Sequence, residues 1–281
     1  MILKVTVLIE NSSNSDLICE HGLSLFIEYN GLRYLLDAGS TDAFRENAYR
    51  LQVSVKDADI CILSHGHYDH SGGFARFLDG GRTADIYAMR QVGEPHYSGS
   101  GGRLHEIGIP EEVWPVYKER FRLIDGRTRI ADGVYLLPHA SKNLEEIGAR
   151  AGLYKMCGEK LLPDDFSHEL SLVFDTAKGL VIFNSCSHAG IVNIIEETKS
   201  AFPHRKLYAY LGGLHMKGKE NGRETCLYTE TEIRKIADAL DAAGLELLYT
   251  GHCTGRPAYE QLKIHLGNRV QELTTGRIII L

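Results

Sequence analysis

The feature that most constrains this chain is an apolar strand that ends in a dense group of histidines. The run from Asp59 to Leu63 is almost entirely apolar, as is typical of a strand covered on both faces of a sheet. It continues into Ser64-His65-Gly66-His67-Tyr68-Asp69-His70, where three imidazoles and a carboxylate offer metal-ligand atoms. Polar donors at the end of a buried strand are costly unless something binds them, so the segment predicts a metal site.

The spacing within this motif predicts two metal positions. In extended backbone, side chains two residues apart point the same way, so His65 and His67 can reach one cation. Asp69 and His70 follow a turn and can face a second position, while Gly66 permits the tight path of the backbone. The alternative is a polar loop whose histidines only form hydrogen bonds, and the presence of four donors argues against it.

Two later histidines share one context, an apolar strand followed by small residues. His188 follows the strand that begins at Val181, and His252 follows the strand that begins at Leu247. Both would lie at the carboxyl end of a strand, where the active sites of α/β proteins gather. For either histidine alone, a structural turn is an equal explanation; together with the first motif they indicate further ligands.

In this order, the motifs resemble those of the metallo-β-lactamase superfamily, whose signature is H-x-H-x-D-H followed by two later histidines. The resemblance extends from Leu23 to about Gly255. A subgroup known as dihydropterin-ribofuranosylaminobenzene-phosphate synthase-like proteins is similar in five segments: Glu20-His21-Gly22-Leu23-Ser24, Leu35-Leu36-Asp37-Ala38-Gly39, Ser64 to Gly73, Cys186-Ser187-His188-Ala189-Gly190 and Thr250-Gly251-His252-Cys253-Thr254-Gly255. One fold hosts many functions, so the subgroup's name does not by itself assign the activity.

The resemblance implies a fold and a set of ligands. The fold is α/β, a four-layer αβ/βα sandwich with an inserted lid region. Six side chains are carried over by position, three for a first metal and three for a second: His65, His67 and His188, then Asp69, His70 and His252. The cofactor would be one or two divalent metals, with zinc expected first and iron or manganese as alternatives. Asp37 would orient one of the ligands.

One position departs from the superfamily's pattern. Members usually carry another Asp, which bridges the metals, on the loop after a strand between the last two histidines; here that loop reads Leu211-Gly212-Gly213-Leu214-His215-Met216. His215 is the obvious substitute, as a ligand or a substrate contact, and a pocket-lining histidine that binds no metal is the equal alternative. Whether one or two metals bind therefore stays open. Asp69 and His215 are the predicted catalytic residues, with Asp69 orienting the attacking water or shuttling its proton.

Three further residues are candidates for substrate contact. His168 and Glu169 precede a strand and resemble the subgroup at this point, and Lys217 could bind an anionic group. The alternative for each is a solvated, charged position on the surface. Cys186 and Cys253 flank two carried-over histidines; we expect small buried residues there, with a catalytic thiolate as the alternative.

The remainder of the chain predicts a single α/β domain over residues 1–281. Early strands, including a hairpin at Asn30-Gly31, give way to strand–helix alternation, which favours two sheets between helices. Residues 91–163 are less regular and are interpreted as an insertion over the site. Within it, the glycine-rich stretch from Ser98 to Gly102 would form a mobile lid.

Composition limits the partners. The 281 residues carry a net charge of −6 and no run of Lys and Arg, so nucleic acid is not the expected partner. We expect no signal peptide, and no segment approaches the ~18 apolar residues of a membrane span. Six cysteines without a C-x-x-C pair favour a reduced, cytoplasmic protein. The expected partner is a small molecule, with an anionic group as one option, and homo-oligomer formation stays open.

The leading functional hypothesis is a metal-dependent hydrolase of a small ester, lactone or phosphodiester. A metal-activated water would attack a carbonyl or phosphorus centre. The alternative implied by the subgroup is a synthase that joins a pterin pyrophosphate to an arylamine ribofuranosyl phosphate. A non-catalytic, metal-dependent binding protein is a third option, and a redox role is disfavoured because no flavodoxin-like segment accompanies the motifs.

Overall fold

The strand and helix patterns of the sequence become short, closely spaced elements in the computed structural model, which describes residues 2–79, 84–220 and 222–281. The strands are β1 (Lys4–Ile9), β2 (Ser24–Tyr29), β3 (Leu32–Leu36), β4 (Ile60–Ile62), β5 (Ile86–Met89), β6 (His96–Ser98), β7 (His105–Glu106), β8 (Phe121–Ile124), β9 (Thr128–Ala131), β10 (Val134–Pro138), β11 (Leu153–Cys157), β12 (Lys160–Pro163), β13 (Leu170–Thr176), β14 (Gly179–Phe183), β15 (Leu207–Leu211), β16 (Lys217–Glu220), β17 (Arg223–Cys226), β18 (Leu247–Thr250), β19 (Val270–Glu272) and β20 (Ile278–Ile280). The α-helices are α1 (Ala43–Arg50), α2 (Tyr68–Ser71), α3 (Phe74–Asp79), α4 (Leu144–Ala151), α5 (Ile191–Ala201), α6 (Glu230–Ala242) and α7 (Arg256–Leu266).

These elements belong to two compact units. Unit 1 takes the described residues up to Tyr97, together with Glu106–Asp125 and Thr274–Leu281. Unit 2 takes Ser98–His105 and Gly126–Leu273. The sequence-based division into one domain with an insertion at about residues 91–163, and the lid within it, stay predictions.

Unit 1 contains a seven-stranded mixed sheet in the order β20-β1-β2-β3-β4-β5-β8. The strands from β20 to β3 pair antiparallel, and those from β3 to β8 pair parallel. The predicted hairpin at Asn30-Gly31 joins β2 to β3, and both residues adopt the positive φ angles that a tight hairpin turn requires. The carboxyl ends of β3 and β4 consequently lie side by side, because parallel neighbours end at the same edge of a sheet.

The core of unit 1 lies between this sheet and the helices α1 and α3. Phe44 of α1 and Phe74 and Phe77 of α3 are buried in one apolar cluster with sheet residues such as Leu35 and Cys61. This packing anchors α3 against the sheet, and only two residues separate α3 from α2. It therefore fixes the position of the short helical turn that carries Asp69 and His70.

Unit 2 contains a second seven-stranded sheet in the order β19-β18-β15-β14-β13-β10-β9. Strands β9, β10, β13 and β14 pair antiparallel with their neighbours. Strands β14, β15, β18 and β19 pair parallel. Strand β14 is buried along its whole length, which explains its continuous apolar sequence. Helix α6 packs against both α5 and α7, and it begins with a capping box formed by Thr229 and Glu232.

Two hairpins that the sequence did not predict have weak sequence patterns. The hairpins β11–β12 and β16–β17 carry little apolar alternation, and β12 is exposed at three of its four residues. Local pairing across a turn, not burial of one face, forms these hairpins, so their sequences show no strong period. Among the described residues, none of the helices is both long and apolar enough to span a bilayer.

Candidate metal centre

The candidate ligands of unit 1 follow the ends of the adjacent parallel strands β3 and β4. Asp37 comes directly after β3 with a φ of 58°, and its backbone N–H donates to the carbonyl of Ile62 at 2.9 Å. His65 and His67 follow β4 after Leu63 and Ser64, with His67 in extended backbone. The chain then turns into α2, which carries Asp69 and His70. The order of extended backbone and turn is the one that the spacing predicts.

The three imidazoles of the motif form one buried group. The ring centroids of His65 and His67 lie 4.6 Å apart, and those of His65 and His70 lie 4.2 Å apart. The Oδ2 atom of Asp69 lies 3.4 Å from Nε2 of His70. None of the four residues exposes more than 6% of its surface. Unit 1 therefore brings together all four of its predicted ligands.

Asp37 sets the orientation of this group. Its Oδ2 atom accepts from the Ser64 hydroxyl at 2.7 Å and lies 2.8 Å from Nδ1 of His70, while Oδ1 accepts from the Ser64 backbone N–H at 2.7 Å. A carboxylate on Nδ1 places the proton there and leaves Nε2 as the lone-pair nitrogen. This is the role that the superfamily resemblance implies for Asp37.

The carboxylates also govern the charge of His70. Burial lowers the pKa of this imidazole, but the charges of Asp69 and Asp37 outweigh burial and raise the pKa to about 10. The pocket therefore carries enough negative charge to favour a cation. A divalent metal would satisfy that preference in place of the proton.

Glycines permit the close approach of the motif to its surroundings. A Cβ atom on Gly66 would lie 2.4 Å from the carbonyl oxygen of Val92, and one on Gly73 would lie 2.2 Å from that of Ala38. Any side chain at either position would push the histidine-bearing backbone away from its neighbours.

Sequence reasoning missed two histidines beside this group. The ring of His96 is buried and lies 5.7 Å from that of His67. Nε2 of His21, a half-exposed residue, lies 3.3 Å from Oδ2 of Asp69. His96 stands in no motif, but His21 lies in a segment that the sequence analysis quoted for its resemblance, and that segment could have indicated it.

The candidates of unit 2 follow its parallel strands in the same way. His188 follows β14, His215 follows β15 and His252 follows β18. The rings of His188 and His215 lie 4.3 Å apart, and His188 also stacks on Phe166 at 5.2 Å. His215 and His252 adopt positive φ angles of 46° and 49°, so the turns after both strands are sharp. Unit 2 contains two predicted metal ligands, His188 and His252. The structure places His215 next to the first of them.

Glu169 supports the loop that follows β14, and its predicted contact with the substrate stays a prediction. Its two carboxylate oxygens accept the backbone N–H groups of His188 and Ala189 at 2.9 and 3.0 Å. Its Oε2 atom also lies 2.8 Å from Nε2 of His139, whose Nδ1 lies 2.8 Å from Oε2 of Glu197. The carboxylate thus fixes the loop that presents the His188 ring.

The imidazole between these two carboxylates is a buried cation. Burial lowers the pKa of His139, but hydrogen bonds and charge from Glu169 and Glu197 raise it to about 9. In Glu197, burial raises the pKa, while His139 and neighbouring hydrogen-bond donors lower it below its ordinary value. Neither His139 nor Glu197 belongs to a recognisable sequence motif, and the sequence analysis missed both.

The other predicted substrate contacts are already paired. His168 is fully buried with its Nε2 atom 3.2 Å from Oδ2 of Asp164, a residue that is also fully buried. The alternative of a solvated surface position is therefore wrong for His168, and its substrate contact stays a prediction. Lys217 lies on the β16–β17 hairpin, where its Nζ atom is 3.2 Å from a carboxylate oxygen of Glu224.

Cys186 and Cys253 are buried, as the sequence predicts for small residues. The Cys253 thiol donates to the Cys186 carbonyl at 3.6 Å and accepts the backbone N–H of His215 at 3.3 Å. Ligand atoms of Cys186, His252 and Cys253 all lie within 4.8 Å of one another.

The donor sets of both units fit a divalent metal. Unit 1 supplies imidazoles held at Nδ1 by oxygen atoms, because His65 Nδ1 lies 2.8 Å from the Ser64 hydroxyl and His70 Nδ1 contacts Asp37. Unit 2 supplies buried imidazole and thiol groups. Nitrogen, carboxylate and sulfur donors are the ligands that zinc uses in proteins. The sequence predicts that the ligands of both units bind the same ions, and this stays a prediction.

Comparisons with known proteins identify the fold. The model of the family described as the metallo-beta-lactamase superfamily matches residues 17–145. Tm1679, described as a metal-dependent hydrolase of the beta-lactamase superfamily, is structurally similar with a TM-score of 0.79 at 26% identity, covering 99% of this chain and 98% of its own. This chain has the metallo-β-lactamase fold. The resemblance and the α/β class that the sequence predicts are thereby confirmed.

Two further proteins are similar to this chain, one in sequence and one in structure. A protein of Methanocaldococcus jannaschii, named 7,8-dihydropterin-6-methyl-4-(beta-D-ribofuranosyl)-aminobenzene-5'-phosphate synthase, is 28% identical over 99% of this chain and 96% of its own length. YhfI of Bacillus subtilis, described as a metallo-beta-lactamase fold protein, has a TM-score of 0.58 at 15% identity and covers 100% of both chains. The name of the first protein is the one from which the subgroup indicated by the sequence motifs takes its name.

Proposed function

We propose that this protein is a metal-dependent hydrolase that acts on a small ester, lactone or phosphodiester. The observation that carries the proposal is the buried group of His65, His67, Asp69 and His70 with Asp37 behind it. Such a group is costly to bury unless it binds a cation. The similarity to a protein described as a metal-dependent hydrolase supports the same reaction class.

We propose the six side chains carried over from the superfamily as the ligands, His65, His67, Asp69, His70, His188 and His252, for one or two divalent ions. Zinc is the preferred ion, with iron or manganese as alternatives. When bound, such an ion supplies a nucleophile at neutral pH by acidifying water, and it polarises the oxygen of a carbonyl or phosphoryl group.

The chain's own residues orient this chemistry and move its protons. Asp37 keeps the proton of His70 on Nδ1, which directs Nε2 towards Asp69. The carboxylate of Asp69 can accept a proton from the attacking water and return it to the leaving group. Glu169 keeps the His188 loop in place through two backbone N–H groups.

His215 is proposed as the residue that meets the substrate. It borders a small groove of unit 2 together with His188, Arg150 and Tyr228. The guanidinium of Arg150 lies over the Tyr228 ring at 4.4 Å and pairs with Glu232. Because Arg150 is already paired with Glu232, the groove offers a substrate the His215 imidazole and the Tyr228 ring. The six cysteines form no disulfide bond in the described structure, which fits the proposed reducing, cytoplasmic setting.

The test is hydrolysis by metal-free and metal-loaded protein across a panel of chromogenic esters, lactones and phosphodiesters. We expect the metal-free protein to be inactive and zinc to restore activity, and His67→Ala to abolish both zinc binding and activity. His204→Ala, a change at an exposed histidine, is the matched control and should leave both unchanged. Full activity in the metal-free protein would refute the proposal.

A second candidate function is a synthase that joins a pterin pyrophosphate to an arylamine ribofuranosyl phosphate. The similarity to the synthase of Methanocaldococcus jannaschii over nearly the whole chain favours it. Incubation with these two substrates separates the candidates, because the synthase releases pyrophosphate and the hydrolase does not. Release of pyrophosphate that depends on both substrates would establish the second candidate.

A further inference from the structure

Unit 2 contains two buried thiols beside a proposed metal ligand, and the proposed hydrolysis uses neither. Cys186 exposes 3% of its surface, Cys253 7% and His252 4%. The ligand atoms of all three lie within 4.8 Å of one another, although the two cysteines are 67 positions apart in the chain. The loop 211–216 after β15 adds an imidazole beside them but no carboxylate.

We propose that the Cys186 thiolate is a ligand of the metal bound by His252, with Cys253 as the sulfur that positions it. This inference rests on the proposed metal dependence and adds a sulfur donor to the nitrogen and carboxylate ligands. On binding, the Cys186 thiol releases its proton to solvent as the sulfur–metal bond forms.

The distances suit a shared ion. Zinc binds sulfur at about 2.3 Å and imidazole nitrogen at about 2.0–2.1 Å, so tetrahedral geometry places these two donors roughly 3.6 Å apart. Donor atoms that already lie within 4.8 Å need only small side-chain rotations to reach this separation.

Cys253 is fixed by the backbone on two sides, which makes it the supporting sulfur. It accepts the N–H of His215 and donates to the carbonyl of Cys186 itself. It also lies against Gly213, where a Cβ atom would come 2.4 Å from its Sγ atom. The Cys253 thiol therefore links the loops that follow β14, β15 and β18, and it holds the Cys186 backbone next to His252.

The turn that carries His252 is equally well fixed. His252 adopts a φ of 49° in a short 3-10 turn, and Thr254 closes this turn by donating its backbone N–H to Gly251 at 2.8 Å. The Thr254 hydroxyl accepts the backbone N–H of Leu214 and contacts the Thr250 hydroxyl. A ring held in this way is preorganised to share an ion with a neighbouring sulfur.

A thiolate ligand has a consequence for metal choice. Thiolates favour zinc, cadmium and cobalt over manganese and magnesium, which prefer oxygen donors. Of the three metals that the sequence left open, the inference therefore disfavours manganese, and it predicts that cadmium binds where manganese does not.

Substitution with cobalt(II) in the full-length protein tests the inference. We expect the wild type to show visible cobalt bands together with an intense near-ultraviolet band from sulfur-to-cobalt charge transfer. Cys186→Ser should lose the charge-transfer band and keep the visible bands, and Cys253→Ser should keep a shifted charge-transfer band. Cys157→Ser, at an exposed cysteine, is the control and should match the wild type.

Cadmium NMR of the wild type gives a second measurement that needs no variant, and we expect a resonance in the range of a mixed sulfur and nitrogen site. Visible cobalt bands without charge transfer, or a charge-transfer band that survives Cys186→Ser, would overturn the inference and leave the proposed function intact. Failure of the wild type to bind cobalt or zinc at all would instead overturn the proposed function.

Discussion

At the scale of single residues, the candidate site is built from backbone conformations that non-glycine residues rarely adopt. Asp37, Ser187, His215 and His252 all have φ between 46° and 58°, and each follows the end of a parallel strand. Such conformations cost about 1–3 kcal/mol each and persist only where the surrounding contacts impose them. These four lie on turns that carry or precede proposed donors, which makes those turns candidates for a functional role.

The first prediction concerns Asp37→Asn. The variant should fold, but its metal affinity should fall by about 10- to 100-fold, because the amide no longer holds the proton of His70 on Nδ1. Competition between the protein and a zinc chelator measures the change. Asp59 also accepts a backbone N–H and a side-chain donor, both from Arg33, so Asp59→Asn is the control. Equal affinities for the two variants would contradict the role of Asp37.

The sequence identified the donors of the motif, and the resemblance identified Asp37 behind them, but neither indicated the contacts that support the His188 loop. The four donors of unit 1 were predicted because their spacing is local and strict. The role of Glu169 was not, since it acts through the backbone N–H groups of His188 and Ala189. Nearly every residue has a backbone N–H group, so a hydrogen bond to the backbone leaves no pattern in the sequence. A buried carboxylate therefore cannot be distinguished from a solvated one by sequence alone.

At the scale of elements, the loops at the carboxyl ends of the parallel strands depend on the helices beside them. Glu197 of α5 accepts the backbone N–H groups of Ala140 and Ser141 and contacts His139. One helix thus fixes the end of β10 and, through His139 and Glu169, the loop after β14. The stability of α5 and the position of His188 are therefore linked.

The second prediction follows from this link. Glu197→Gln should lower the free energy of unfolding by about 2 kcal/mol, because it weakens hydrogen bonds to a charged, buried imidazole. Glu196→Gln, the exposed neighbour on the same helix, should change it by less than about 0.5 kcal/mol. Urea denaturation of the metal-free proteins measures both, and an equal loss in the two variants would contradict the network.

The third prediction concerns the start of α6. Thr229→Ala removes both hydroxyl contacts of the capping box with Glu232 and should cost about 1 kcal/mol of stability. Thr229→Ser retains a hydroxyl and should recover most of the loss. Thermal denaturation compares the two, and no difference between alanine and serine would show that the cap is not stabilising.

At the scale of the whole molecule, a buried charge makes stability depend on pH. Glu169 and Glu197 raise the pKa of His139 from 6.5 to about 9 against the effect of burial. Because the folded pKa exceeds the unfolded one, the charged imidazole contributes its full stabilisation below about pH 6.5. This contribution is lost as pH rises through about 9.

The fourth prediction puts this loss to the test. As pH rises from about 6.5 to above 9, the free energy of unfolding of the wild type should fall. The fall should exceed that of His139→Gln by up to ~3 kcal/mol. Urea denaturation across the range, with metal removed, measures the difference. Parallel pH profiles for the two proteins would show that His139 carries no charge in the folded state.

By itself, the sequence determined the strands and helices with strong periodicity, the donors of the histidine motif and the fold class. These features depend on the spacing of neighbouring residues, which the chain shows directly. Only the tertiary structure decided which distant groups meet: Glu169 under the His188 loop, His139 between two acids, and Cys186 beside His252. Parallel strands need long crossover connections, so the residues gathered at their carboxyl ends are far apart in the chain, and no local pattern records their contact.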